Sequence, residues 1–116
     1  MISDLDDLRW QHRILLINEP QDTDALLALL SAGAAALEER RLIWFVLQGG
    51  TVQTNSVQAL GNDLATNAQL QLDVGPNEVL LIGLDGGVKA RGSELDLDAL
   101  YALIDAMPMR RAEQRE

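Results

Sequence analysis

Carboxylates gather where a chain does acid–base work or holds a hard cation. Glu19, Asp22 and Asp24 share the stretch "NEPQDTDA", Asn18 to Ala25. Paired carboxylates of this kind can exchange a proton or ligate a metal through oxygen. Asp85 precedes Gly86 and Gly87, with Lys89 and Arg91 close behind, so a carboxylate, open backbone amides and two cations share one short stretch. Arg110 and Arg111 follow Met107-Pro108-Met109 and can take an anion or an acidic partner. Trp10, His12 and Arg13 make a further candidate patch, because Trp and Arg are enriched at binding hot spots.

Each set also has a plainer account. Asp22 and Asp24 suit a helix start, and Asp-Gly-Gly suits a hairpin turn with its charges in water. Basic residues just past a helix C-terminus complement the helix dipole, and Arg110 is also spaced to pair with Asp105 and fold the tail back. On that account Met107 and Met109 plug the core edge, Met107 burial outweighs a surface ion pair of Arg110, Trp10 covers the sheet end, and His12 stands in solvent. Glu19, Asp22 and Asp24 lack a third fixed oxygen ligand and a nucleophile. No catalytic or metal-ligating residue is therefore assigned, and the binding candidates are Trp10, Arg13, Asp85, Lys89, Arg91, Arg110 and Arg111.

Composition narrows the chemistry. The 116 residues contain no cysteine, which removes thiol catalysis, disulfides and thiolate metal sites, and His12 is the only histidine. Eighteen acids against nine bases leave a net charge of -9, with no basic residue between Arg41 and Lys89. A phosphate backbone needs clustered positive charge, so nucleic acid is not an expected partner. The chain is 47% hydrophobic and 23% charged, the balance of one soluble globular domain spanning 1–116. No apolar run reaches the ~20 residues of a membrane span, and Met1 to Trp10 lacks the basic and apolar regions of a signal peptide. A soluble protein is expected, cytoplasmic as it stands and periplasmic if a signal has been removed.

The elements that must position these residues are legible from apolar periodicity. "RILLINE", Arg13 to Glu19, and "LIWFVLQ", Leu42 to Gln48, read as strands covered on both faces. Between them Leu26, Leu27, Leu30, Ala34 and Leu37 recur at helical spacing, started by Asp22 or Thr23 and closed by Arg40 and Arg41. Gly33 within that helix fits close packing, as against the sheet, or neutral drift. Strand, helix, strand implies a right-handed parallel crossover. "GGTVQTNS" reads as a loop, and Val57 to Leu64 as a short helix with Val57, Leu60 and Leu64 inward. Glu78 to Leu84 and Val88 to Arg91 form a hairpin around "DGG", the second strand short and polar like a sheet edge. A last helix from Leu97 to Met107, capped by Asp96, buries Leu97, Leu100, Leu103, Ile104 and Met107 and stops at Pro108.

That order matches a thioredoxin-like core: an α/β fold with a central mixed β-sheet flanked by helices. "LRWQHRILLI", "LEERRLIWFV", "LIGLDGGVKARG" and "LIDAMPMRRAE" together resemble a bacterial thioredoxin-like family of unknown function. It is similar to the DUDES domain of vertebrate equarin and the sushi-repeat extracellular proteins. The resemblance implies a fold related to peroxiredoxins and no established reaction or cofactor. Redox-active members of the fold carry a cysteine where this chain has "NEPQDTDA", and a cis-proline before the third strand; Pro76 is the one candidate for that proline and also fits an ordinary Gly-Pro-Asn turn. The expected role is a non-redox binding or adaptor module, monomeric or homodimeric, with a protein partner. The alternatives are a non-thiol enzyme using the Asn18 to Asp24 or Asp85/Lys89 carboxylates, and a structural homo-oligomer pairing through the strand after Gly87.

Overall fold

The structure, a computed structural model, describes residues 1–114. Its five strands are β1 (Arg13–Asn18), β2 (Leu42–Gln48), β3 (Thr51–Thr54), β4 (Glu78–Ile82) and β5 (Val88–Gly92). They form one mixed sheet in the order β3-β2-β1-β4-β5. β1 lies in the middle, parallel to β2 with Ile14 against Ile43, and antiparallel to β4 with Ile14 against Ile82. All six of its residues are buried because both faces are covered.

Alternation along the strands divides the apolar residues between two cores. Ile14, Leu16, Phe45, Leu47, Leu80 and Ile82 face one side, closed by Ile2, the 3-10 turn Leu5–Leu8 and α3 (Leu64–Leu72). Leu15, Ile17, Val46, Val79 and Leu81 face the other, against Leu30 of α1 (Thr23–Ala32), Leu37 of α2 (Ala34–Glu39) and Ile104 of α4 (Leu97–Asp105). Asp22 and Asp96 cap α1 and α4 by accepting the amides of Ala25 and Ala99, each at 3.1 Å.

Several elements differ from the sequence expectation. The single helix before β2 is two, broken at Gly33, and Ala34 is exposed. A Cβ at Gly33 would stand 3.1 Å from the Tyr101 hydroxyl, so its close neighbour is α4 rather than the sheet. The expected loop after β2 contains β3, paired antiparallel with β2. No helix forms over Val57 to Asp63, and Val57 is fully exposed. That segment is tied down instead, since Asn55 just before it bonds the backbone of Trp44 and Leu42, and Leu60 bridges to Ile2. Leu64, Ala68 and Leu72, at helical spacing, start the helix later.

At the other end Leu103 is exposed, and α4 stops at Asp105 with Ala106 as its cap. Pro108 does end that helix, but it also opens α5 (Pro108–Gln114). Proline suits a first helical position, where its fixed φ is already helical and its missing N–H is not needed. Among the described residues no peptide bond is cis, and Pro76 lies in a turn.

Candidate functional site

α5 turns back over the start of β1 and closes a set of six charged side chains. Arg13 opens β1 on the face shared with Leu15 and Ile17, and only 1% of it is exposed. Its guanidinium donates to the Arg40 carbonyl at 2.9 Å and to both Glu113 oxygens at 3.2 and 3.4 Å. Arg110, one turn before Glu113 on α5, is 3% exposed. It donates to Asp105 at 3.2 Å, to the Glu39 carboxylate at 3.0 Å and to the Glu39 carbonyl at 3.2 Å. Arg40 binds Asp105 through two nitrogens, at 3.1 and 2.9 Å, while its guanidinium lies over the Tyr101 ring, 4.3 Å from the centroid.

Arg13, Arg40 and Arg110 thus face Glu39, Asp105 and Glu113, three charges of each sign. The hydrogen bonds from Arg40 and then Arg110 hold the Asp105 pKa below the ordinary carboxylate value, against the opposing effect of burial. Burial disfavours the Arg110 cation, but Asp105 and Glu39 outweigh it and raise its pKa. The expectation of a solvent-exposed Arg110 beside a buried Met107 is overturned. The turn at Pro108 drives Arg110 inward, and Met107 is half-buried.

Beside this cluster a cleft of about 290 Å3 opens between the β4–β5 hairpin and the α4–α5 junction. Leu84, Met107, Pro108 and Met109 give it apolar walls, with Arg13, Asp85 and Lys89 also on the lining. The strands go out of register between Leu81 and Ile82, where Lys89 is the additional residue on β5. Lys89 donates to Asp85 at 2.9 Å, and the other Asp85 oxygen accepts the Gly87 amide at 2.9 Å. The Gly87 amide first, and Lys89 second, lower the Asp85 pKa. Both charges are held in a fixed pair, so the cleft offers apolar contact beside a polar rim.

Of the seven expected binding residues, Arg13, Asp85 and Lys89 meet at this cleft. Arg110 lies behind it in the ion cluster, and Arg111 is exposed on α5. Trp10 does not cover the sheet; it is 62% exposed with φ +69°, and its amide donates to the Leu84 carbonyl at 2.7 Å. His12 is half-buried rather than bare, with a buried Nδ1 that has no hydrogen-bond partner. Arg91 lies apart, bonded to Glu78 at 2.6 Å and to the Asp73 carbonyl at 3.2 Å, and the Arg91 hydrogen bond lowers the Glu78 pKa.

The carboxylates of the β1–α1 turn stand at the opposite end of β1 and serve structure. Glu19 accepts the Gly49 amide at 2.9 Å and Asp22 caps α1. Among the described residues no group of three or more metal-ligating side chains converges.

Sequence reasoning passed over Glu39, Arg40 and Glu113 as members of the ion cluster. The available signals were an arginine contiguous with a wholly apolar strand, which demands a counter-charge if buried, and the three-residue spacing of Arg110 and Glu113.

Comparison with curated proteins and with solved structures finds no match. A family described as a domain of unknown function, DUF4174, matches residues 4–113. That span takes in both the hairpin and the Met-Pro-Met segment that line the cleft, and the chain belongs to the DUF4174 family.

Proposed function

We propose that the chain is one thioredoxin-like domain working as a non-redox binding module, with the cleft between the hairpin and Met107-Pro108-Met109 as its ligand surface. The strand order, the parallel β1–β2 pair, the antiparallel β4–β5 hairpin and the closing α4 support the thioredoxin-like reading and the likeness to the equarin and sushi-repeat domain. The observation that carries the function is convergence: two segments about twenty residues apart in sequence, "LDGGVK" and "AMPM", meet to wall one apolar cleft. Thiol–disulfide exchange needs a sulfur nucleophile, which this sequence lacks.

The carboxylate enzyme is the weaker reading. The β1–α1 turn and the Asp85–Lys89 pair lie at opposite ends of the sheet, and Glu19, Asp22 and Asp85 are each engaged in backbone hydrogen bonds. The edge-to-edge oligomer is also disfavoured, since Lys89, Arg91 and the register irregularity blunt β5 as an open edge.

A titration of isotope-labelled protein with a panel of short peptides, followed by amide NMR, tests the assignment. Shifts are expected to centre on Leu84, Asp85, Lys89 and Met109 and to vanish in Met109→Asp, a change at an exposed position, while the core amide resonances of that variant stay in place. Shifts centred on the β1–α1 turn, or unaffected by Met109→Asp, overturn it.

A further inference from the structure

A larger groove lies elsewhere, between the α1–α2 pair and the start of α4, with a volume of about 600 Å3. It shares no lining residue with the hairpin cleft. We propose that this groove docks a basic amphipathic segment of another protein.

One wall presents Leu29, Ala32 and Ala36; Leu29, a large apolar side chain, is 45% exposed. Leu97 and Tyr101 of α4 stand opposite. Gly33 lies at the bottom, where a Cβ would come within 3.1 Å of the Tyr101 hydroxyl. That hydroxyl is itself buried, so what Tyr101 and its neighbours offer an occupant is apolar surface.

The rim decides the charge of the occupant. Glu94, Asp96 and Asp98 border the groove, all exposed, and none forms an ion pair among the described residues. Asp96 is engaged in capping α4, which leaves Glu94 and Asp98 as free carboxylates. Of the cations close by, Arg40 lies over the Tyr101 ring and is held by Asp105, and Arg91, which shares a neighbouring pocket with Glu94 and Asp96, is held by Glu78. A second copy of this chain in a two-fold interface would set the same carboxylates against one another, on a protein of net charge -9. An apolar side chain flanked by lysine or arginine satisfies both the walls and the rim.

Fluorescence anisotropy with the full chain tests this, using a synthetic leucine–lysine amphipathic peptide and its leucine–glutamate counterpart. The lysine peptide is expected to bind and the glutamate peptide not to bind. The pair Glu94→Gln with Asp98→Asn should weaken binding about tenfold, and Leu29→Ser about fivefold. The pair Glu38→Gln with Asp63→Asn removes the same charge elsewhere and should change affinity by less than about twofold. Equal weakening by the two pairs would mean that only overall acidity attracts the peptide, and the proposal fails. It fails also if Leu29→Ser leaves affinity unchanged, or if sedimentation shows a dimer that Leu29→Ser dissociates, which would seat a second copy in the groove.

Discussion

The guanidinium of Arg13 lies 3.2 Å from the carboxylate of Glu113, joining the first residue of the central strand to the final helix. The same Glu113 oxygen stands 3.5 Å from Arg110, so one acid on α5 serves two buried cations. The two adjacent arginines of α5 therefore differ in role. Arg110 completes an internal ion cluster, while Arg111 points outward.

Glu113→Ala should therefore destabilise the protein by roughly 3 kcal/mol, because it strands the Arg13 charge inside the fold. Arg111→Ala, on the exposed side of the same helix, should stay within about 0.5 kcal/mol of the parent. Met107→Ala, truncating a half-buried side chain, should cost about 1–2 kcal/mol. Urea unfolding of the three variants checks the ranking. A larger loss for Met107→Ala than for Glu113→Ala would mean that packing rather than charge holds α5 down.

The cluster also sets an acid limit. The Asp105 pKa is lower in the folded protein than its ordinary value, so as pH falls the unfolded chain takes up the proton first. The stability this carboxylate contributes is complete above its ordinary pKa, about 4, and is lost as pH drops through the depressed folded value. Asp105→Asn should lower stability at pH 7 and flatten its fall below about pH 4. Thermal unfolding across pH 2–7, on the order of one point per unit, measures it. An unchanged acid limb would assign the loss to Glu78 and Asp85, which are also depressed.

The two central strands were legible because their apolar runs admit no other burial, and the hairpin because Asp-Gly-Gly follows such a run and precedes a short polar strand. Arg13 to Asn18 and Leu42 to Gln48 are buried along most of their length, and only a sheet covered on both faces allows that. β3 was not legible, since "TVQT" is a half-exposed edge whose strand character comes from pairing with β2. Nor was the role of Met1 to Leu8, where Ile2, Leu5 and Leu8 are too few for a periodic signal yet close one core. The cleft was half legible. Asp85 and Lys89 were named from their motif, but their meeting with Met107 to Met109 depends on where Pro108 sends the chain.

Tyr101 offers a test of the α2–α4 contact. Its hydroxyl is buried and unpartnered, and burial raises its pKa, so the oxygen contributes desolvation without a compensating bond. Tyr101→Phe keeps the ring beneath Arg40 and removes only the oxygen. Stability should be unchanged or rise by up to about 1–2 kcal/mol. A loss of about 1 kcal/mol or more in chemical denaturation would reveal a hydrogen bond to water at that hydroxyl.

The hairpin turn separates two costs that a single substitution confounds. Gly86 has φ +84°, a conformation L-residues adopt at a cost of roughly 1–2 kcal/mol. A Cβ there would also stand 2.8 Å from Nε of Arg9, whose side chain lies across the turn. Gly86→Ala should therefore lose more than the backbone cost alone, unless Arg9 swings away. Arg9 is half-exposed and, among the described residues, paired only with the exposed Asp6, so Arg9→Ala should cost less than about 1 kcal/mol. In the double variant the steric part disappears and only the φ cost remains. A double-mutant cycle read by thermal unfolding should give a favourable coupling of about 0.5–1 kcal/mol between the two positions. Strict additivity would mean that the guanidinium moves aside freely and that the glycine is required for its backbone conformation alone.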